Sequence, residues 1–209
     1  MKHLALIGDI VESRSLADRS AVQERFGKCC QQINQQRKHY AIVSPLMVTL
    51  GDEFQAVFKS SAQLWAMIAR FELDMYPVGF RFSIGVGEIT TRLNNKSPLG
   101  MDGPAFYNAR AGVEQLRAGG GNYRVTGLGD LQKLTGHALD LWSAARAKWN
   151  YNRLATFTRI LEGVSVPEIA RELNVSEQAV YRTRRDGQLD TVIGLLKEIS
   201  RLIDEELQS

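Results

Sequence analysis

Leu4-Ala5-Leu6-Ile7-Gly8-Asp9-Ile10 is an apolar run that closes on a carboxylate. Further along, Val48-Thr49-Leu50-Gly51-Asp52-Glu53-Phe54-Gln55-Ala56-Val57-Phe58 is a second apolar run, broken by two acids at a glycine turn. A buried carboxylate without a partner is costly, so acids in these places need a counter-charge. Set at a strand end and at a hairpin tip, Asp9 and Asp52 are placed to share one divalent cation, which offsets their mutual repulsion. The arrangement predicted is the geometry of a phosphate-handling two-metal site. Glu53 beside them would ligate, orient or stand solvated. The plainer alternative is a pair of turn-capping aspartates, since Gly-Asp is an ordinary turn dipeptide.

Working outward, residues 17–40 read as a long polar helix, with Val22, Phe26, Cys29, Cys30 and Ile33 at three- and four-residue spacing. Strands are predicted over 44–50 and 53–58, joined by Gly51-Asp52. Ser61 is placed to cap a helix whose apolar face is Leu64, Trp65, Ile68, Phe71 and Met75. Residues 80–89 alternate and end in glycines, as a strand does. Strand, helix, strand, strand, helix, strand is an α+β, ferredoxin-like sandwich with helices on one face of an antiparallel sheet. Gly85 and Gly87 then permit close packing or strand twist.

After a loop over 94–103, a helix is predicted at 105–116 and a short strand at 122–126. From Leu128 onward, Leu131, Leu134, Leu139, Trp142, Ala145 and Trp149 suggest connecting helices. The predicted organisation is a sheet domain over 1–127, connecting helices over 128–152 and an all-α helix-turn-helix domain over 153–209.

In that last unit Ser165-Val166-Pro167-Glu168 is a capping box with proline in the first turn. Asn174 sits where a left-handed turn is needed, and Ser176 caps the next helix. Ala170, then Asn174, then Val180 have the spacing of a helix-turn-helix. Arg182, Arg184 and Arg185 would meet duplex DNA phosphates or guanine edges, and Glu177 and Gln178 are placed to face bases. Leu189 to Leu207 continues as an amphipathic helix that either closes the small domain or forms a homodimer seam.

Composition sets bounds without deciding function. The 209-residue chain is 44% hydrophobic and 23% charged, ordinary for a globular protein. A formal charge of +3 is too small to argue for nucleic acid by itself. Cys29 and Cys30 are neighbours on a predicted helix, so an intrachain bridge is not expected, and no spacing suggests zinc. The first strand begins without a secretory leader's basic segment and apolar core. No apolar run approaches ~18 residues. The expectation is a cytoplasmic protein that spans no membrane.

Several of these stretches carry a resemblance. Ala5-Leu6-Ile7-Gly8-Asp9-Ile10-Val11 resembles the first metal-binding strand of class III nucleotide cyclases. Leu50-Gly51-Asp52-Glu53-Phe54 resembles their second, and the signature hairpin of diguanylate cyclases. Phe82-Ser83-Ile84-Gly85-Val86-Gly87-Glu88 is similar to the strand that follows in both. Together with Gly103-Pro104-Ala105-Phe106-Tyr107-Asn108-Ala109-Arg110 and the carboxy-terminal helices, the chain looks most like the SatD family over essentially its whole length.

That resemblance implies a cyclase-like palm in which Asp9, the Ile10 carbonyl and Asp52 hold magnesium against a triphosphate. Ser13, Arg14, Asn108 and Arg110 are the candidate nucleotide contacts, the guanidinium forks suiting phosphate. The departures argue against cyclisation. Glu12 and Ser13 replace the Gly-Phe turn of cyclases, and an acid there repels phosphate. Asn108 and Arg110 are two apart where cyclases place them four apart, so they point to different faces. Leu50 stands where diguanylate cyclases carry an extra glycine. The function expected is a transcriptional regulator whose cyclase-like domain binds a nucleotide with a divalent metal as sensor. The alternative is an active nucleotide-converting enzyme whose terminal helices serve dimerisation or recruitment.

Overall fold

A computed structural model describes residues 1–13, 18–49, 51–119 and 121–209. The apolar run at the start is β1 (Lys2–Ile10). It pairs antiparallel with β3 (Glu53–Phe58) on one side and β4 (Phe80–Glu88) on the other. β2 (Ile42–Val48) pairs with β3 at the edge, where Pro45, lacking an N–H, falls within the register shift between Ser44 and Met47. β5 (Tyr123–Thr126) joins β4 in parallel, giving the order β2-β3-β1-β4-β5. The first four strands follow the predicted ferredoxin-like order, and the architecture is α+β.

Alternation along the strands divides the sheet. Leu4, Leu6, Phe54, Phe58, Phe80 and Phe82 face α1 (Arg19–Gln35) and α2 (Leu64–Met75), which contribute Phe26, Ile33 and Phe71 to one buried cluster. Aromatic rings fill its centre, Phe54 and Phe71 lying 5.0 Å apart. Cys29 and Cys30 are buried there as free thiols, as expected, and burial pushes Cys30 up to about 12. Ala5, Ile7 and Val57 face the other way, toward α3 (Pro104–Arg117).

Helices on one face only is therefore corrected: α3 covers the second face. It lies close because β4 offers no Cβ beneath it. A Cβ on Gly85 would meet the Ala105 carbonyl at 2.1 Å, and one on Gly87 would meet the Ala105 nitrogen at 2.8 Å. Of the two readings of these glycines, close packing is the one observed.

Three helices of the second half return to the α1/α2 face. Trp142 from α4 (Gln132–Arg146), Phe157 from α5 (Tyr151–Leu161) and Leu196, Ile199 and Ile203 from α8 (Leu189–Gln208) belong to the sheet's own cluster. The apolar stripe of α8 thus closes the core of the sheet. Ser61 does not cap α2, whose N-cap is Gln63. Its hydroxyl donates to the Ser200 carbonyl (3.0 Å) and its N–H to Asp204 (2.8 Å), fastening α8. α6 (Val166–Leu173) and α7 (Glu177–Asp186) share a small cluster of their own, built on Ile169, Ala170 and Val180.

Candidate functional site

The α3 face of the sheet ends in charge. Odd positions of β1 face α3, so Asp9 continues the row of Ala5 and Ile7. The register sets Glu53 against Asp9 on one side and Arg81 against it on the other. Two acids directly opposite each other would destabilise the pair. The sequence answers on α3, where Arg110 and Arg117 lie two helical turns apart on one face.

Arg110 grips Glu53 with Nη1–Oε2 at 2.6 Å and Nη2–Oε1 at 2.7 Å. Arg117 grips Asp9 with Nη2–Oδ1 at 2.7 Å and Nε–Oδ2 at 3.2 Å. Arg81 Nη1 adds a contact to Asp9 Oδ2 at 3.2 Å. Both acids are buried, Asp9 at 2% and Glu53 at 1% exposure, so each would be costly without its guanidinium partner. Burial pushes the Glu53 carboxyl up, but hydrogen bonds from Arg110, Gln55 and Thr49 and the Arg110 charge outweigh it, leaving the pKa below the ordinary value. Arg110 and Arg117 are raised, chiefly by their hydrogen bonds to Glu53 and Asp9.

Asp52 sits apart from this row, in the turn. Its backbone carbonyl accepts from the Ile10 N–H (2.9 Å) and its Oδ2 from the Ser13 hydroxyl (2.5 Å). Glu12 adopts left-handed backbone at φ 51°, unusual for a residue with a side chain. Asp9, Ile10, Glu12, Ser13, Asp52, Arg81 and Arg117 together line an open cleft of about 590 Å³. The structure thus brings Asp9, Ile10, Ser13 and Asp52 to one place. Arg14 lies outside the described residues.

Asn108 is elsewhere. Its side-chain amide donates to the Val86 carbonyl at 2.8 Å and its backbone carbonyl accepts from the Thr126 hydroxyl at 2.7 Å. Asn108 and Arg110 do point to different faces of α3.

The second surface is α7. Glu168 accepts from the Ser165 N–H at 3.2 Å and hydroxyl at 2.6 Å, so α6 begins where predicted. Asn174 adopts φ 52°, ψ 49°, the left-handed turn. Ser176 then caps α7 by accepting from the Ala179 N–H at 3.2 Å. Glu177, Gln178, Tyr181, Arg182 and Arg185 are exposed. Arg184 Nε reaches Asp190 at 2.8 Å and Arg185 Nε reaches Asp186 at 3.1 Å, both near the surface.

The model of the SatD family matches residues 3–179. The chain belongs to the SatD family. No curated protein matches. Two solved structures resemble it in fold, each a bacterial light-regulated adenylyl cyclase. One is 17% identical with a TM-score of 0.42, covering 71% of this chain and 81% of that one. The other is 16% identical with a TM-score of 0.41, covering 60% of this chain and 42% of that one, so the match spans less than half of its length.

For magnesium, the donors expected of this SatD-family chain are suitable in kind, since Asp9, Asp52 and the Ile10 carbonyl are all hard oxygen. Their present pairing opposes it. Both oxygens of Asp9 are held by guanidiniums, so a cation there requires Arg81 and Arg117 to release them. Arg110 likewise takes both oxygens of Glu53, so a ligand role for Glu53 would require Arg110 to release them. Among the described residues no group of three or more His, Cys, Asp or Glu is disposed to hold a metal ion.

Arg81 and Arg117 are the site residues that sequence reading missed. Arg81 had a signal in the β4 alternation, where it breaks an aromatic run, and Arg117 in its seven-residue spacing from Arg110. Neither signal names Asp9 as the partner. Among the described residues no helix is long and apolar enough to cross a membrane.

Proposed function

We propose that this protein is a cytoplasmic DNA-binding transcriptional regulator, acting as a homodimer, whose sheet binds a nucleotide with magnesium as sensor. The observation that carries the reading is α7. Of its ten residues only Val180 is buried, which anchors the helix and leaves a polar, basic side to solvent. That side, with Gln178, Tyr181 and Arg182 foremost, suits the major groove, with Arg185 near the phosphates.

The cleft supports the sensor half. A phosphate-bearing ligand would compete with Asp9 for Arg81 and Arg117, whose guanidiniums suit phosphate oxygens. Asp9, Asp52 and the Ile10 carbonyl would then hold magnesium, which would supply charge neutralisation for the phosphates. Ser13 is placed to donate to the same ligand. Cyclisation forms no part of this reading. Asn108 is bonded to Val86 and Arg110 to Glu53, so neither stands ready to stabilise transition-state charge.

Mobility shifts of the full chain on duplex DNA across a salt series test the first half. Binding that weakens steeply as salt rises is expected, and no binding to any duplex at low salt rejects it. Thermal-shift screening of nucleotides with and without magnesium tests the second, since specific binding raises apparent stability. Asp52→Asn should remove a magnesium-dependent rise while leaving the unliganded melt near the parent.

A further inference from the structure

The outward side of α4 carries an apolar stripe that the fold leaves uncovered. Leu131, Leu134, Ala138, Leu141 and Ala145 follow at alternating spacings of three and four, the pattern of a two-helix seam. Leu134 is 68% and Leu141 76% exposed, and only Met1 among the described large hydrophobics is more so. The other side of the helix buries Thr135, Leu139, Trp142 and Ser143. α4 is therefore already anchored by a full inward face. Single exposed leucines are ordinary, but two on one stripe, two turns apart, mark an interaction surface.

We infer that this stripe is a homodimer seam, in which α4 pairs antiparallel with α4 of a second copy. With the two-fold axis beside Ala138, the small side chain lets the backbones approach, and Leu134 of each copy falls against Leu141 of the other. Charge selects both occupant and direction. Asp130 is exposed just before the helix and Lys148 is exposed just after it, and neither forms an ion pair among the described residues. Antiparallel pairing brings each Asp130 within about a helical turn of the other copy's Lys148. Parallel pairing would set like beside like. A stripe of this symmetry, with opposite charges at its two ends, is complementary to itself.

The seam is one helix of fifteen residues. That is small beside a standard interface of about 800 Å² per partner, so association should be weak and concentration-dependent. This rests on the homodimer of the proposed function and adds its location. It goes to α4 because the apolar stripe of α8 is spent on the sheet.

Sedimentation of the full chain over a concentration series tests it. A monomer–dimer equilibrium is expected, with Leu134→Glu or Leu141→Glu raising the dissociation constant roughly tenfold or more. Melting of those variants as monomers should match the parent, since both leucines are already in water. Asp130→Lys and Lys148→Asp should each weaken the dimer, and together restore it. A chain monomeric at every concentration, a dimer indifferent to the leucine changes, or a double charge swap that fails to restore association overturns the seam. Mobility shifts with the Leu134→Glu, Leu141→Glu double variant separate the two readings. Loss of the dimer in that variant supports the seam whether or not DNA is still bound, and an unchanged dimer overturns the seam alone. The α7 reading stands or falls separately, on DNA binding by the parent chain.

Discussion

Arg117 holds both carboxylate oxygens of Asp9, at 2.7 and 3.2 Å, across the gap between the last turn of α3 and the end of β1. The contact joins elements far apart in sequence. It also means that the acid at the mouth of the cleft is already neutralised, with Arg81 on the neighbouring strand as its second partner.

Arg117→Ala should therefore destabilise the fold by about 1–2 kcal/mol, less than a fully buried pair because Arg117 itself is 47% exposed. Urea melts of Arg117→Ala, Asp9→Asn and the double variant measure the coupling. Additive effects would show that the pair contributes no interaction energy.

Acid should act through Glu53. Its pKa is held below the ordinary 4.5, so the unfolded chain takes up the proton first as pH falls. The stability it contributes is full above about pH 4.5 and lost as pH drops through the lower, folded value. Glu53→Gln should flatten that part of a stability–pH profile. An unchanged acid limb contradicts the assignment.

Gly85→Ala should cost about 1–3 kcal/mol by overpacking, because the new methyl meets the α3 backbone at the Ala105 carbonyl, 2.1 Å away. Lifting α3 also moves Arg110 and Arg117 off their acids, so the Glu53 acid limb should weaken in the same variant. Thermal melts over pH check both effects together.

On α7, Arg182→Ala should reduce DNA affinity more than Arg184→Ala, because Arg184 is engaged with Asp190. Removing Arg184 and Arg185 together should flatten the salt slope by about one unit for each phosphate no longer neutralised. Titrations at several salt concentrations read both quantities, and a larger effect at Arg184 would contradict the ranking.

The sequence by itself determined what is local. Alternation, apolar runs and turn residues located all five strands and the three helices among them, since periods of two and 3.6 are written residue by residue. The caps at Ser165 and Ser176 and the turn at Asn174 were legible because each depends on neighbours a few residues away. Asp9, Ile10, Ser13 and Asp52 could be assigned to one cleft because a strand end and an adjacent hairpin tip meet in any ferredoxin-like order. Tertiary structure decided the rest. Nothing in the run around Asp9 specifies that its partner is Arg117, 108 residues away, because that pairing depends on how near the glycines of β4 let α3 approach. The stripe of α8 looked the same whether it sealed a small domain, the sheet or a dimer. Burying apolar area is favourable against any apolar surface, so only the packed chain selects which one.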